Sequence, residues 1–330
     1  MKRLFTPLLL WLGLVSAAQA ECTGQDLMPG LLPDDRAQVD AQLGTMPYAE
    51  GNHWIARKGD EVLHLVGTMH ISDTRLDGPV SRLSPLMDDA ALLLLEMTEA
   101  DQKQMEKGIL TDPSVFMLKG KTLPDMLSEE DWQALSAALD ARGMPPFIGA
   151  QMQPWYVSML LSVPSCMTEL LQKKDGLDFR LEAAAQAQGV PTQSLEAYDT
   201  FFRLFDDIPM DTQLAMIRAA LASPDTNEDL FETMLNSYFT ERAAEGQIVL
   251  EVLGPRLTPL SAEENDAVND FMNGALLKER NAAWIPVILD SLETTEGSVV
   301  AAFGAAHLAG VDGILSLLEK EGFTLERAPF

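Results

Sequence analysis

Residues 65–72 read LVGTMHIS and residues 301–310 read AAFGAAHLAG. Each stretch is an apolar run closed by Gly-x-x-His, and the two lie 237 positions apart. The chain has only four histidines, and His70 and His307 occupy this shared frame. An apolar run that stops at glycine reads as a buried strand ending at the edge of a sheet. Ligand sites of open α/β sheets form outside the carboxyl ends of such strands. Gly67 and Gly304 are therefore candidate ligand-binding positions, where a missing Cβ permits a turn and close approach. The histidine three residues on would turn into the cleft.

The neighbouring sequence supplies the rest of a sheet. HWIAR (53–57) and EVLHLVG (61–67) flank KGD and read as a hairpin with Gly59 in the turn. ALLLLEM (91–97) and SVVAAFG (298–304) are near-continuous apolar runs, as expected of strands buried on both faces. VPTQSLE (190–196) and FTLERA (323–328) are weaker strand signals. SEEDWQALSAALDARG opens on a Ser128-x-x-Asp131 box and closes at Gly143, so a helix is expected there. GLDFRLEAAAQAQG and DGILSLLEKEG read as helices too, and residues 199–292 are helical in pattern. Strands separated by helices predict an α/β fold. Its central, mostly parallel sheet would be flanked by helices, with a helical insertion between the two strand–GxxH units. Residues 21–330 are expected to form one such domain, with a helical cap over about 199–292.

Two imidazoles at strand ends begin a divalent-metal site, which a carboxylate and water complete. Glu96 is the candidate carboxylate, because a charge closing an apolar strand needs a partner or solvent. In LLKERNAAWIPVILDSL (276–292), helical spacing places Arg280 on one face with Leu276, Leu277, Trp284, Val287 and Ile288. A guanidinium there needs an acidic partner or a ligand, or else packs its stem and extends its head to water. Glu279 falls about 100° further round the helix. His53 and His64 lie at the start of and within a strand, outside any GxxH frame, and read as structural.

The first twenty residues, MKRLFTPLLLWLGLVSAAQA, combine a basic start, a short apolar core and an A-x-A cut site. They are expected to be a secretory leader, too short to span a membrane. Glu21 separates the cut from Cys22, which argues against lipid anchoring. The formal charge of −27 disfavours nucleic acid and anionic membranes as partners. The two cysteines, Cys22 and Cys166, are expected to pair in an oxidising compartment, the periplasm.

HLVGTMHISD, LLLLEM, QMQPWYVSMLL, GLDFRLEAAAQAQGVPTQSLE, LLKERNAAWI and VVAAFGAAHLAGVDGILSLLEKEGF resemble the TraB/GumN family, which includes the animal Tiki proteins. The resemblance spans about residues 45–327. It implies an α/β fold of the erythromycin-esterase/ChaN-like type. It also implies a metal-dependent hydrolase acting on peptides, with manganese, cobalt or zinc as the ion. Carried over by motif, His70 and His307 would hold the metal. Glu96 would be a further ligand or the base on bound water, and Glu279 a second acidic group. Arg280 would clamp substrate or transition state. ChaN-like relatives are associated with haem, which implies an alternative, a haem- or metal-carrying protein without hydrolysis. A peptide-sequestering interaction protein is a third reading.

Overall fold

A computed structural model describes residues 22–168, 170 and 173–330 of the chain. The expected leader and its cut site lie outside the described residues. The core is a six-stranded mixed sheet in the order β4-β3-β5-β2-β1-β6. These strands are β1 His53–Lys58, β2 Glu61–Thr68, β3 Ala90–Leu95, β4 Thr192–Ser194, β5 Ser298–Gly304 and β6 Thr324–Arg327. β1 and β2 form the expected antiparallel hairpin, and Gly59 takes φ +59° in its turn, a conformation that suits glycine. β2, β5, β3 and β4 run parallel to one another, so their carboxyl ends share one edge of the sheet.

Alternation along the strands divides the sheet between two cores. Leu63, Leu65, Leu92, Leu94, Val299, Ala301 and Phe303 face one side. There they meet Trp284 and Ile288 of the helix Arg280–Thr294, and Ile314 and Leu318 of Ile314–Lys320. Val66, Leu93, Leu95, Val300 and Ala302 face the other side, against Leu177 and Leu181 of the helix Leu177–Gln188. Both faces are covered, which is why these strands read as continuous apolar runs.

The helical insertion is larger than 199–292. Among the described residues, helices also occupy much of the stretch from Glu99 to Gln188, between β3 and β4. A satellite core of Leu123, Leu135, Leu139, Val157 and Leu161 joins Leu214 and Ile217 from beyond β4. The two helical stretches therefore share one apolar cluster. The helix Glu129–Ala141 begins as read, with the Ser128 side chain accepting from Asp131 N–H.

Cys22 and Cys166 are joined in a disulfide across a sequence separation of 144, and no free cysteine remains. Thr23 N–H and Gln25 N–H donate to Glu228 and Asp229, so the amino-terminal arm is also held by hydrogen bonds. A loop of that length predicts a stabilisation of about 5 kcal/mol from chain entropy. The Cys22→Ala/Cys166→Ala variant should lose about that much in urea unfolding monitored by circular dichroism. An unchanged midpoint would show that the cross-link carries none of the stability. No helix among the described residues is long and apolar enough to cross a membrane.

Candidate functional site at the carboxyl edge of the sheet

The two GxxH units are neighbours in space. β2 pairs with β5 in parallel, Gly67 opposite Phe303 and Thr68 opposite Gly304. β3 lies on the other side of β5 and ends at Leu95, so Glu96 leaves the same edge. The glycines serve close packing of the chain on itself. A Cβ on Gly67 would meet Leu308 Cδ1 at 2.8 Å and Ala305 Cα at 3.0 Å. The turn carrying His307 can therefore approach β2 only over a glycine. A Cβ on Gly304 would stand 3.1 Å from Glu96 Oε1. Gly304 N–H donates to that same oxygen at 2.6 Å. Gly67 and Gly304 thus position His307 and Glu96, and neither lines the cavity beside them.

Arg280 sits at the centre of the site. Its Nε and Nη2 donate to the two oxygens of Glu196 at 3.0 and 2.7 Å, a bidentate pairing. Nη2 also donates to Glu96 Oε2 at 2.7 Å. The guanidinium lies over the Trp284 ring, 4.7 Å from its centroid, and Trp284 Nε1–H donates to Glu196 Oε2. Side-chain exposures of 11%, 17% and 9% for Arg280, Glu96 and Glu196 mark a buried three-charge network. Nη1 is the loosely held corner, with 3.4 Å contacts to Leu276 O and His307 Nε2.

The turn before Arg280, Gly274–Glu279, is π-helical, a local widening that recurs at functional sites. Beyond it, consecutive residues grip the two nitrogens of His307. Arg280 Nη1 faces Nε2, and Asn281 Oδ1 lies 2.6 Å from Nδ1. Asn281 also donates from Nδ2 to Asp312 O at 3.0 Å, which fixes its amide orientation. His307 therefore carries its proton on Nδ1 and turns the Nε2 lone pair toward Arg280 and Glu96, whose Oε1 is 3.9 Å away. Glu279 does not join this group. It is exposed, and no hydrogen bond or ion pair ties it to the cluster.

His70 stands at the cavity rim with Nδ1 3.0 Å from Asp178 Oδ2, its side chain 53% exposed. Asp178 lies in the first turn of Leu177–Gln188, where a carboxylate suits the helix dipole. The environments drive the two histidines apart. The Asp178 carboxylate raises His70 to about 9, although desolvation opposes it. Burial lowers His307 to about 4, the Glu96 charge opposing and Arg280 assisting. Burial would raise Glu96, yet the cationic form of His307, Arg280, His70 and the Gly304 N–H hold it at about 2. Above pH 4 His307 is neutral, so Arg280 and His70 supply the charge that keeps Glu96 ionised.

His70, Glu96, Asp178, Glu196 and Arg280 border a cavity of about 310 Å³, lined also by Thr68, Met97, Gln102, Met105 and Phe179, and His307 lies buried behind Arg280 and Glu96 without lining it. Thr68 Oγ1 and Asp178 Oδ1 are buried without a hydrogen-bond partner among the described residues. A family model described as the TraB/PrgY/gumN family matches residues 52–327. The chain belongs to the TraB/PrgY/gumN family. Neither curated proteins nor solved structures yield a match.

The metal that the TraB/GumN resemblance implies can be set against these donors. Each imidazole has its Nδ1–H committed to an oxygen acceptor and its Nε2 available, as metal-binding histidines do. The third donor does not fit. Glu96 has one oxygen on Arg280 and the other on the Gly304 N–H, and a guanidinium nitrogen stands 3.4 Å from His307 Nε2. Among the described residues no three His, Cys, Asp or Glu side chains converge to hold an ion. As arranged, the set does not fit a three-ligand centre.

Reading the sequence missed Glu196, Asn281 and Asp178. Glu196 had a usable signal, since SLE at 194–196 repeats the strand-final LLE of 94–96. Leu195 N–H donates to Leu95 O, which brings the two glutamates off the same edge. His53 and His64 lie apart from the site as a stacked pair, His53 Nδ1–H donating to Pro329 O at 2.8 Å.

Proposed function

We propose that this family member is an exported hydrolase of peptide-type amide bonds. In it, His307 is the general base, His70 the general acid and Arg280 the oxyanion donor. The observation that carries the reading is the unlike setting of two histidines around Arg280 and Glu96: His70 at the cavity rim against the Asp178 carboxylate, and His307 buried between Asn281, Arg280 and Trp284, surroundings that push their basicities in opposite directions. Residues of one type, tuned apart by their surroundings, are the mark of an acid–base pair. The disulfide supports export, since such bonds persist in oxidising compartments such as the periplasm.

The steps follow from the atoms present. Water attacks the substrate carbonyl carbon and gives a proton to His307 Nε2. The Glu96 carboxylate, 3.9 Å away, steadies the imidazolium that forms, a support already contained in the value of about 4. The oxyanion is met by Arg280 Nη1, the corner whose existing contacts are long. The Asp178-supported imidazolium of His70 then protonates the leaving amine as the C–N bond breaks. Solvent takes the proton from His307 and returns one to His70. Glu196 and Asn281 hold Arg280 and His307 in place.

Peptide-library digestion read by mass spectrometry supplies a substrate for the decisive profile. The base form of His307 is present above about pH 4, and the acid form of His70 below about pH 9. kcat/KM should be flat between those limits and fall on both sides. Solvent screening of the half-exposed His70 places the alkaline limb at or below that value. Turnover should persist in EDTA. Loss in EDTA with recovery on manganese, cobalt or zinc would restore the metal-dependent mechanism that the resemblance implies.

A further inference from the structure

The cavity has two unlike halves. Its floor is the charged cluster at the strand ends. Its walls are apolar, with Leu95, Met97 and Phe303 from the sheet edge, Phe179 from the helix Leu177–Gln188 and Met105 from the helix Glu99–Thr111. The Glu99–Thr111 helix has no fully buried residue, and beyond Glu99 at its start the half-buried positions Asp101, Gln102, Met105 and Ile109 form one stripe. Met105 is thus part of a wall and not of a core.

Every charged group around the cavity has an ion-pair partner among the described residues, and the one unmatched charged-group atom is the buried Asp178 Oδ1. Glu96 and Glu196 hold Arg280, Asp178 holds His70, and Lys174 at the rim is bridged to Glu106. A charged ligand side chain would be desolvated there with no free countercharge. An apolar one would bury its surface against thioether and ring. Methionine walls adapt to different unbranched shapes. At about 310 Å³ the cavity lies at the small end of ligand pockets, with room for one large side chain and its peptide unit.

We infer that this pocket selects a peptide unit bearing one bulky apolar side chain of the leucine, methionine or phenylalanine class, with Met105 as a specificity-determining residue. The inference rests on the hydrolase reading for its catalytic meaning, but the selection itself is a binding property.

The test uses N-acetyl amino-acid amides of Leu, Met, Phe, Asp and Lys. Their affinity is measured by NMR titration on the full mature protein, and the corresponding peptides are assayed for cleavage. The apolar amides should bind at least about tenfold more tightly than the Asp and Lys amides. Met105→Glu should weaken Leu binding and favour Lys, and Met105→Ala should shift preference toward the larger Phe. Melting curves confirm that both variants fold, as expected for a half-buried position. Selective binding without cleavage of any peptide would support the pocket assignment and overturn the hydrolase reading. Cleavage with no side-chain preference, or with a preference that neither variant alters, would overturn the assignment and leave the hydrolase reading standing. Absence of both binding and cleavage would overturn the assignment.

Discussion

Replacing Arg280 with methionine is expected to lower folding stability by about 3–5 kcal/mol, the usual cost of removing one partner from a buried charge network. Glu96 and Glu196 follow the ends of adjacent strands and are both aimed at the one guanidinium. Without it, two largely buried carboxylates face each other with only the Gly304 and Trp284 N–H groups as donors. Urea unfolding at pH 7 measures the loss. A companion Glu196→Gln substitution in the Arg280→Met background should recover part of it, because it removes one uncompensated charge. The sign of the pH dependence follows from Glu96. Its folded pKa of about 2 lies below the ordinary 4.5, so its contribution is present above pH 4.5 and lost as pH falls toward 2. That acid-dependent component should vanish in the variant. Arg280→Lys should fold better than Arg280→Met yet turn over slowly, because an ammonium cannot bridge Glu196 in bidentate fashion while presenting Nη1 to substrate.

The second large effect falls on turnover. His307→Gln should reduce kcat by about 10²–10⁴, the range for loss of a positioned acid–base group. His307 is buried and packs on Trp284 with ring centroids 4.4 Å apart. Substitution by alanine would therefore open a cavity and confound activity with folding. Glutamine fills most of the space, and its amide can still donate to Asn281 Oδ1, so the expected stability cost is that of one ring contact, about 1 kcal/mol. Full turnover in a folded His307→Gln protein would remove His307 from the mechanism. Loss of turnover at constant melting temperature would separate its chemistry from its packing.

The parts of this molecule legible in the sequence are those fixed by short-range pattern. Both GxxH strands, their parallel neighbour ending in Glu96 and the hairpin around Gly59 follow from apolar runs that end at punctuation. Long-range placement decided the rest. β4 is three residues long, and although SLE at 194–196 echoes the strand-final LLE of 94–96, that echo does not pair Glu196 with Arg280, 84 residues further on. Glu279 precedes Arg280 by one residue, and that single step round the helix turns it to solvent. Asn281 takes the opposite consequence of the same geometry and reaches His307 Nδ1. Asp178 is 108 residues from His70 and meets it because the start of its helix docks on that segment, Leu177 N–H donating to Met69 O. Gly67 and Gly304 were marked by position, but their role became visible only with Ala305, Leu308 and Glu96 in place.

The central claim is that one site keeps one histidine charged and the other neutral at the same pH. Long-range ¹H–¹⁵N correlation spectra of protein with ¹⁵N-labelled histidine report charge and tautomer for each ring, independently of any substrate. From pH 5 to 8, His307 should remain neutral with its proton on Nδ1, while His70 remains an imidazolium and gives up its charge only toward pH 9. Asp178→Asn, by removing the charge that sustains it, should bring the His70 titration down toward 6.5 and leave His307 unmoved. Two histidines titrating together near 6.5 in the wild type would contradict the acid–base assignment at its root.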